Sequence, residues 1–178
     1  MAPCYNSMAT LAKEIGDIGN CSVLLRRAKR LSINSVRDYI RLAVARGCRH
    51  YAPSYPPADF DPGVEAIADE ELVALLLLGE NEFEPVAVRC AAQLAGRCNL
   101  EGLARVAKQE RIGRVLSYIS EAGSTHDSTN KDFWLRLRAL LGEQDPIANG
   151  VLPHWSRFVS QTGVIRNGGG DVKWLHRQ

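Results

Sequence analysis

The chain has 178 residues, of which 46% are apolar, 24% charged and only 7% aromatic. A chain of this length buries roughly 70% of the surface its unfolded form exposes, so it needs neither disulfides nor metal to fold, and the composition excludes a disordered protein. The formal net charge of +2 conceals a strong segregation: residues 1–52 carry nine Lys/Arg against three Asp/Glu, residues 53–85 carry nine Asp/Glu and no Lys/Arg, and residues 86–178 carry thirteen Lys/Arg against eight Asp/Glu. Such asymmetry bears on fold as well as on partners. The expectation is that the acidic segment lies across basic helices of the same chain.

The five cysteines, Cys4, Cys21, Cys48, Cys90 and Cys98, are odd in number and contain no CxxC. Met1–Gly16 holds no apolar run of signal-peptide length, and the longest apolar run, Leu72–Leu78, is far short of the ~20 residues that span a bilayer. A reducing cytoplasm and no membrane contact are the corresponding expectations.

Ala, Leu and Arg are plentiful, which favours helix. Ser7–Ile15 repeats Met8, Leu11, Ala12 and Ile15 at helical spacing and stops at Gly16. A second helix is expected over Ser22–Leu31, with Leu24, Leu25, Ala28 and Leu31 inward and Arg26, Arg27, Lys29 and Arg30 largely outward. The third begins at Ser35, with Asp38 three residues on as in a capping box. Its stripe is Val36, Tyr39, Ile40, Ala43 and Val44, Arg37 and Arg41 lie on the exposed side, and Gly47 suits a left-handed stop. Cys48–Gly63 carries four prolines and three aromatics, Tyr51, Tyr55 and Phe60, and reads as a loop pinned across the helices by those rings.

Residues 69–122 are the best-punctuated part of the chain. Asp69 is the expected N-cap of a helix over Asp69–Leu78 that is apolar on nearly every side. Pro85 takes the first helical position of Glu84–Ala95, where small residues line one face. Asn99 caps Asn99–Ala122. Its two apolar stripes are out of phase by roughly a third of a turn, so the stretch divides in two at Lys108–Arg111. Gly123–Asn130 reads as a polar loop, a helix follows to Leu141 with Gly142 as its stop, and Pro153–Thr162 reads as a short last helix. Val164–Arg166 and Val172–Leu175, flanking Asn167–Asp171, read as a β-hairpin expected to lean on the helices through Trp174.

The expected architecture is therefore all-α: one domain over 1–178, built as an irregular bundle or small array of seven to nine short helices with a C-terminal hairpin. Its parts are a basic helical region (1–47), a Pro/Tyr/acidic loop (48–68), core helices (69–142), and a last helix with the hairpin (143–178).

Chemistry is sparsely marked. Cys48 and His50 lack a second pair at zinc spacing, and Cys90 and Cys98 straddle a helix end without histidines, so no metal or cofactor site is expected. No G-x-S-x-G is present. His126–Asp127 has the look of a solvated turn, and the Asp59/Asp61 and Glu80/Glu82/Glu84 clusters lack the calcium-loop pattern. Gly168–Gly170 suits a hairpin turn, not a phosphate loop. The clearest lead is Val23–Gly47, which resembles a helix-turn-helix in outline, although its turn is about two residues shorter than the usual motif. That resemblance implies phosphate or base-edge contacts from Arg26, Arg27, Arg30, Arg37 and Arg41. Three readings of function follow. The first is a non-enzymatic interaction or regulatory module with a protein partner. The second is a nucleic-acid binder using helices 22–46. The third is an enzyme assembled from scattered His, Asp and Glu.

Overall fold

A computed structural model describes residues 22–60, 62–78, 84–162 and 171–177. The Ser7–Ile15 stretch lies outside the described residues. Within them the chain forms seven α-helices: α1 (Val23–Arg30), α2 (Val36–Ala45), α3 (Asp69–Leu77), α4 (Pro85–Ala95), α5 (Leu100–Gln109), α6 (Gly113–His126) and α7 (Lys131–Leu141). Short 3-10 turns occupy Arg49–Tyr51, Pro62–Ala66 and Trp155–Arg157. A two-stranded antiparallel sheet, β1 (Val159–Thr162) and β2 (Asp171–Trp174), completes the fold.

The centre is α3, whose residues Leu72 to Leu77 are all buried. It packs most extensively on α4, where Ala87, Ala91, Ala92 and Ala95 leave room for close approach. α6 and α7 form a second closely packed pair beside α5. The α5–α6 division falls in the expected place, between Gln109 and Gly113.

Three helices end by the same device. After α1, Ser32 donates to Lys29 O (3.1 Å) and Ile33 to Ala28 O (3.0 Å); after α2, Gly47 donates to Val44 O and Cys48 to Ala43 O, both at 3.0 Å. After α5, Ile112 donates to Ala107 O at 3.0 Å. The pivot residues Ser32, Gly47 and Arg111 have φ of 60°, 111° and 59°. Each such turn satisfies orphan carbonyls and drives the next side chain, Ile33, Cys48 or Ile112, into the core.

Several expectations are corrected. Ala68, not Asp69, is the cap position of α3: its backbone N–H donates to Glu71 Oε2 at 2.9 Å, while Asp69 is drawn off to arginines. The polar run after Ala122 is not a loop from Gly123, because α6 continues to His126. Gly123 permits this by letting the Trp134 indole lie against the helix. No α-helix forms over Pro153–Thr162. Trp155, Phe158 and Val159 have helical spacing, but Phe158 inserts into the core and Val159 pairs with Trp174 as the first residue of β1. The hairpin thus uses Val159–Thr162 as its first strand; Val164–Arg166 and the glycines after it lie outside the described residues. Trp174 does anchor the sheet, at 5% exposure and donating to Ala92 O (3.4 Å). The long segment after α7 is held by Arg114, which donates to Asp145 O (3.1 Å) and Pro146 O (2.6 Å), and by the Tyr118 hydroxyl on Pro153 O (3.0 Å).

Candidate functional site

The basic helices fold as their caps dictate. Ser22 accepts from Leu25 N at the start of α1, and Ser35 and Asp38 form a reciprocal capping box on α2. Burial works against the Asp38 carboxylate, but the Ser35 hydroxyl, the Asn34 and Ser35 backbone N–H groups and the nearby Arg41 charge together hold its pKa below the usual 3.8.

The five arginines implicated by the helix-turn-helix outline do not share one environment. Arg27 is bound internally, to Glu71 and Ala66 O, both at 2.6 Å. Arg41 donates Nε to Pro56 O (2.9 Å), and the Arg37 guanidinium lies over the Tyr55 ring, 5.9 Å from its centroid. The Pro/Tyr loop therefore engages both arginines on the outward side of α2, the side a recognition helix would present to a groove. Arg26 and Arg30, with Lys29, stay exposed on α1 and have no acidic partner among the described residues. Val23, Arg26 and Arg30 follow i, i+3, i+7 spacing and so form one stripe. Val23 is 69% exposed, and Val36, beginning α2, is 41% exposed.

Of the acidic segment, Asp69 and Glu71 are paired with basic residues. Three consecutive carboxylates in the first turn of α3 each tie down a different part of the chain. Asp69 accepts from Arg46, just past α2 (2.9 Å), and from Arg177 near the C-terminus. Glu70 accepts the backbone N–H of Asn99 at the start of α5 (2.6 Å), and Glu71 accepts from Arg27 of α1. A helix N-terminus favours these anions. Arg46 also donates to Ile67 O at 2.6 Å and Val64 O at 3.3 Å. An open depression of about 480 Å³ beside this knot is bounded by Arg46, Glu65, Ile67, Ala68, Asp69 and Arg177. Its charges balance, and Arg46 is already engaged with protein acceptors.

His126 and Asp127, adjacent in sequence, are not brought together. His126 stacks on Trp155 (centroids 3.8 Å apart), and burial together with His154 lowers its pKa. Asp127 turns inward, 2% exposed, accepting from Trp134 Nε1 (2.9 Å) and Asn130 Nδ2 (3.2 Å), with His176 Nε2 at 3.2 Å. It is not the solvated turn its sequence suggests. No signal in the sequence marks His176 or Arg177 as partners of residues so distant. Among the described residues, no Ser or Cys is hydrogen-bonded to His176, no group of three or more His, Cys, Asp or Glu is arranged to hold a metal ion, and no helix is long and apolar enough to cross a membrane.

His154 caps the turn that follows it, its Nδ1 lying 3.0 Å from Ser156 Oγ and 3.4 Å from Ser156 N. Among the described residues, the site that stands apart from internal bonding is thus the α1 stripe with the exposed Val23. Comparison with protein-family models, with curated proteins and with solved structures finds no match to this chain.

Proposed function

We propose that this chain is a non-enzymatic interaction module that receives an acidic segment of a protein partner on the outward face of α1. The carrying observation is that Arg26, Lys29 and Arg30 are exposed without acidic partners among the described residues, beside the exposed Val23, while the chain's own carboxylates at 69–71 are bound to Arg27, Arg46, Arg177 and Asn99. Cations without acidic partners among the described residues, beside an exposed apolar side chain, suit a helix or strand with alternating acidic and apolar positions. Charge steers and orients the encounter, and Val23 adds desolvated contact.

Nucleic-acid binding is the second reading, favoured by the i, i+4 pair Arg26 and Arg30, which can contact phosphates. In that case the contacts are to backbone, because Arg37 and Arg41 are engaged by Tyr55 and Pro56.

Fluorescence anisotropy with an acidic amphipathic peptide and with a mixed-sequence DNA duplex separates the two. The module reading expects the peptide to bind more tightly than the duplex. Duplex binding that weakens steeply between about 50 and 200 mM salt, with no peptide binding, supports the second reading instead.

A further inference from the structure

The described residues hold four asparagines, Asn34, Asn99, Asn130 and Asn149. The fold commits three of them to bonds that oppose reaction of the side chain with the next backbone nitrogen. After Asn34, the Ser35 N–H donates to Asp38 Oδ2 at 3.0 Å, so the nitrogen that would attack is engaged. Asn99 Oδ1 accepts the Gly102 N–H at 2.8 Å as the cap of α5. Asn130 Nδ2 donates to Asp127 Oδ2 at 3.2 Å. Asn149 is held by no such bond. It is exposed, and among the described residues neither its side chain nor the Gly150 N–H makes a hydrogen bond. The two residues form the corner of a turn closed by the Val151 N–H on Ala148 O at 3.3 Å. Gly150 stands there at φ 85°, left-handed backbone that glycine adopts freely. A Cβ on Gly150 would meet nothing within 4 Å, so the surroundings of the turn are open.

We propose that Asn149 is a site of spontaneous modification by water, in which its side-chain amide becomes a carboxylate through a cyclic imide with the Gly150 nitrogen. Base removes the Gly150 amide proton, and the electron pair of that nitrogen forms a bond to Asn149 Cγ. The Cγ–Nδ2 bond breaks, and Nδ2 leaves as ammonia with a proton from solvent. Water then adds to one of the two imide carbonyls. Addition at Cγ breaks its bond to nitrogen and leaves aspartate in an ordinary main chain. Addition at the main-chain carbonyl breaks that carbon's bond to nitrogen and leaves isoaspartate, with the chain running through Cγ. The sum is one water consumed and one ammonia released, with no oxidant, reductant or cofactor. Glycine matters because no Cβ beside the attacking nitrogen obstructs ring closure. The segment is tied down on both sides of the turn, by Arg114 on Asp145 O and Pro146 O and by Tyr118 on Pro153 O. The turn can therefore gain an anion and a backbone methylene while its anchors hold.

The test incubates the full chain in mildly alkaline heavy-oxygen water at physiological temperature and digests it at mildly acidic pH, where no new imide forms. Mass spectrometry with electron-driven fragmentation reports isoaspartate and heavy-oxygen uptake peptide by peptide. That separates Asn149 from Asn167, the other asparagine that precedes a glycine. Isoaspartate is expected at 149 at least about tenfold faster than at Asn34, Asn99 or Asn130, with a rate that rises with pH. Unfolding in urea should speed the Asn149 reaction by less than about threefold, because the fold gives this residue no protection. Gly150→Ala should slow it at least about tenfold, and circular dichroism checks that this variant folds. If it does not fold, the rates of the parent chain, folded and in urea, decide the matter. No isoaspartate at 149, a rate there no faster than at Asn34, an acceleration in urea of about threefold or more, or an undiminished rate in folded Gly150→Ala would overturn the proposal.

Discussion

Gly123, inside α6, lies flat against the indole of Trp134 in α7: a Cβ at that position would stand 2.5 Å from Trp134 Cδ2. Trp134 is fully buried. The ring has nowhere to retreat, since Phe133 and Trp174 pack edge-on and tilted against it. Gly123→Ala is expected to destabilise the fold by a net ~1–3 kcal/mol, as overpacking outweighs the better helix propensity of alanine. Urea denaturation followed by tryptophan fluorescence measures it; a variant as stable as the parent would show that the helix pair can separate freely.

The same indole donates to Asp127, which also accepts from Asn130 and faces His176. Asp127→Ala leaves a buried indole N–H without an acceptor and should cost about 3 kcal/mol or more. Asp127→Asn retains an acceptor for Trp134 and should cost less, about 1–2 kcal/mol. Equal losses in the two variants would mean that the charge, and not the hydrogen bond to Trp134, is what matters there.

Ser32 and Arg111 hold left-handed backbone without being glycine. A side chain in that region costs roughly 1–2 kcal/mol, partly offset by the unfolded-state entropy that glycine adds, so Ser32→Gly and Arg111→Gly should each stabilise by about 0.5–1 kcal/mol. Thermal denaturation of the single and double variants checks this, and additivity is expected because the two turns share no hydrogen-bond partner among the described residues.

Asp38 gives a pH signature. Its folded-state pKa lies below the usual 3.8, so the stability it adds is present above that value and is lost as pH falls through the folded-state value. Asp38→Asn should therefore flatten the decline of the urea midpoint below about pH 4 while leaving its position among less acidic samples parallel to the parent. A decline of unchanged steepness would assign acid sensitivity to other carboxylates.

The parts of the fold legible in the sequence are those set by local chemistry. Ser35 with Asp38, Gly47, Pro85 and Asn99 mark their helix ends through bonds made within a few residues. The phase change between stripes placed the α5–α6 break. What escaped depends on distant partners or on unusual residues at familiar turns. Ser32 and Arg111 terminate helices as glycine does, but nothing in their side chains announces it. Asp127 looks solvated beside Ser128 and Thr129, and only the approach of Trp134 and His176 buries it. Asp69 has the identity of a cap but is taken by Arg46 and Arg177, the latter 108 positions away. At the candidate surface, five arginines look alike in sequence. Glu71, Tyr55 and Pro56 distinguish them, and among the described residues Arg26 and Arg30 have no such partners.

The most direct measurement is anisotropy of a labelled acidic amphipathic peptide titrated with the parent chain and with an Arg26→Glu/Lys29→Glu/Arg30→Glu variant. These side chains are exposed and make no ion pair among the described residues, so the variant should fold with near-parent stability. Docking on α1 predicts at least about tenfold weaker peptide binding by the folded variant, with the loss largest at low salt. Peptide affinity unchanged by the three reversals, or no peptide binding by the parent chain, would contradict it.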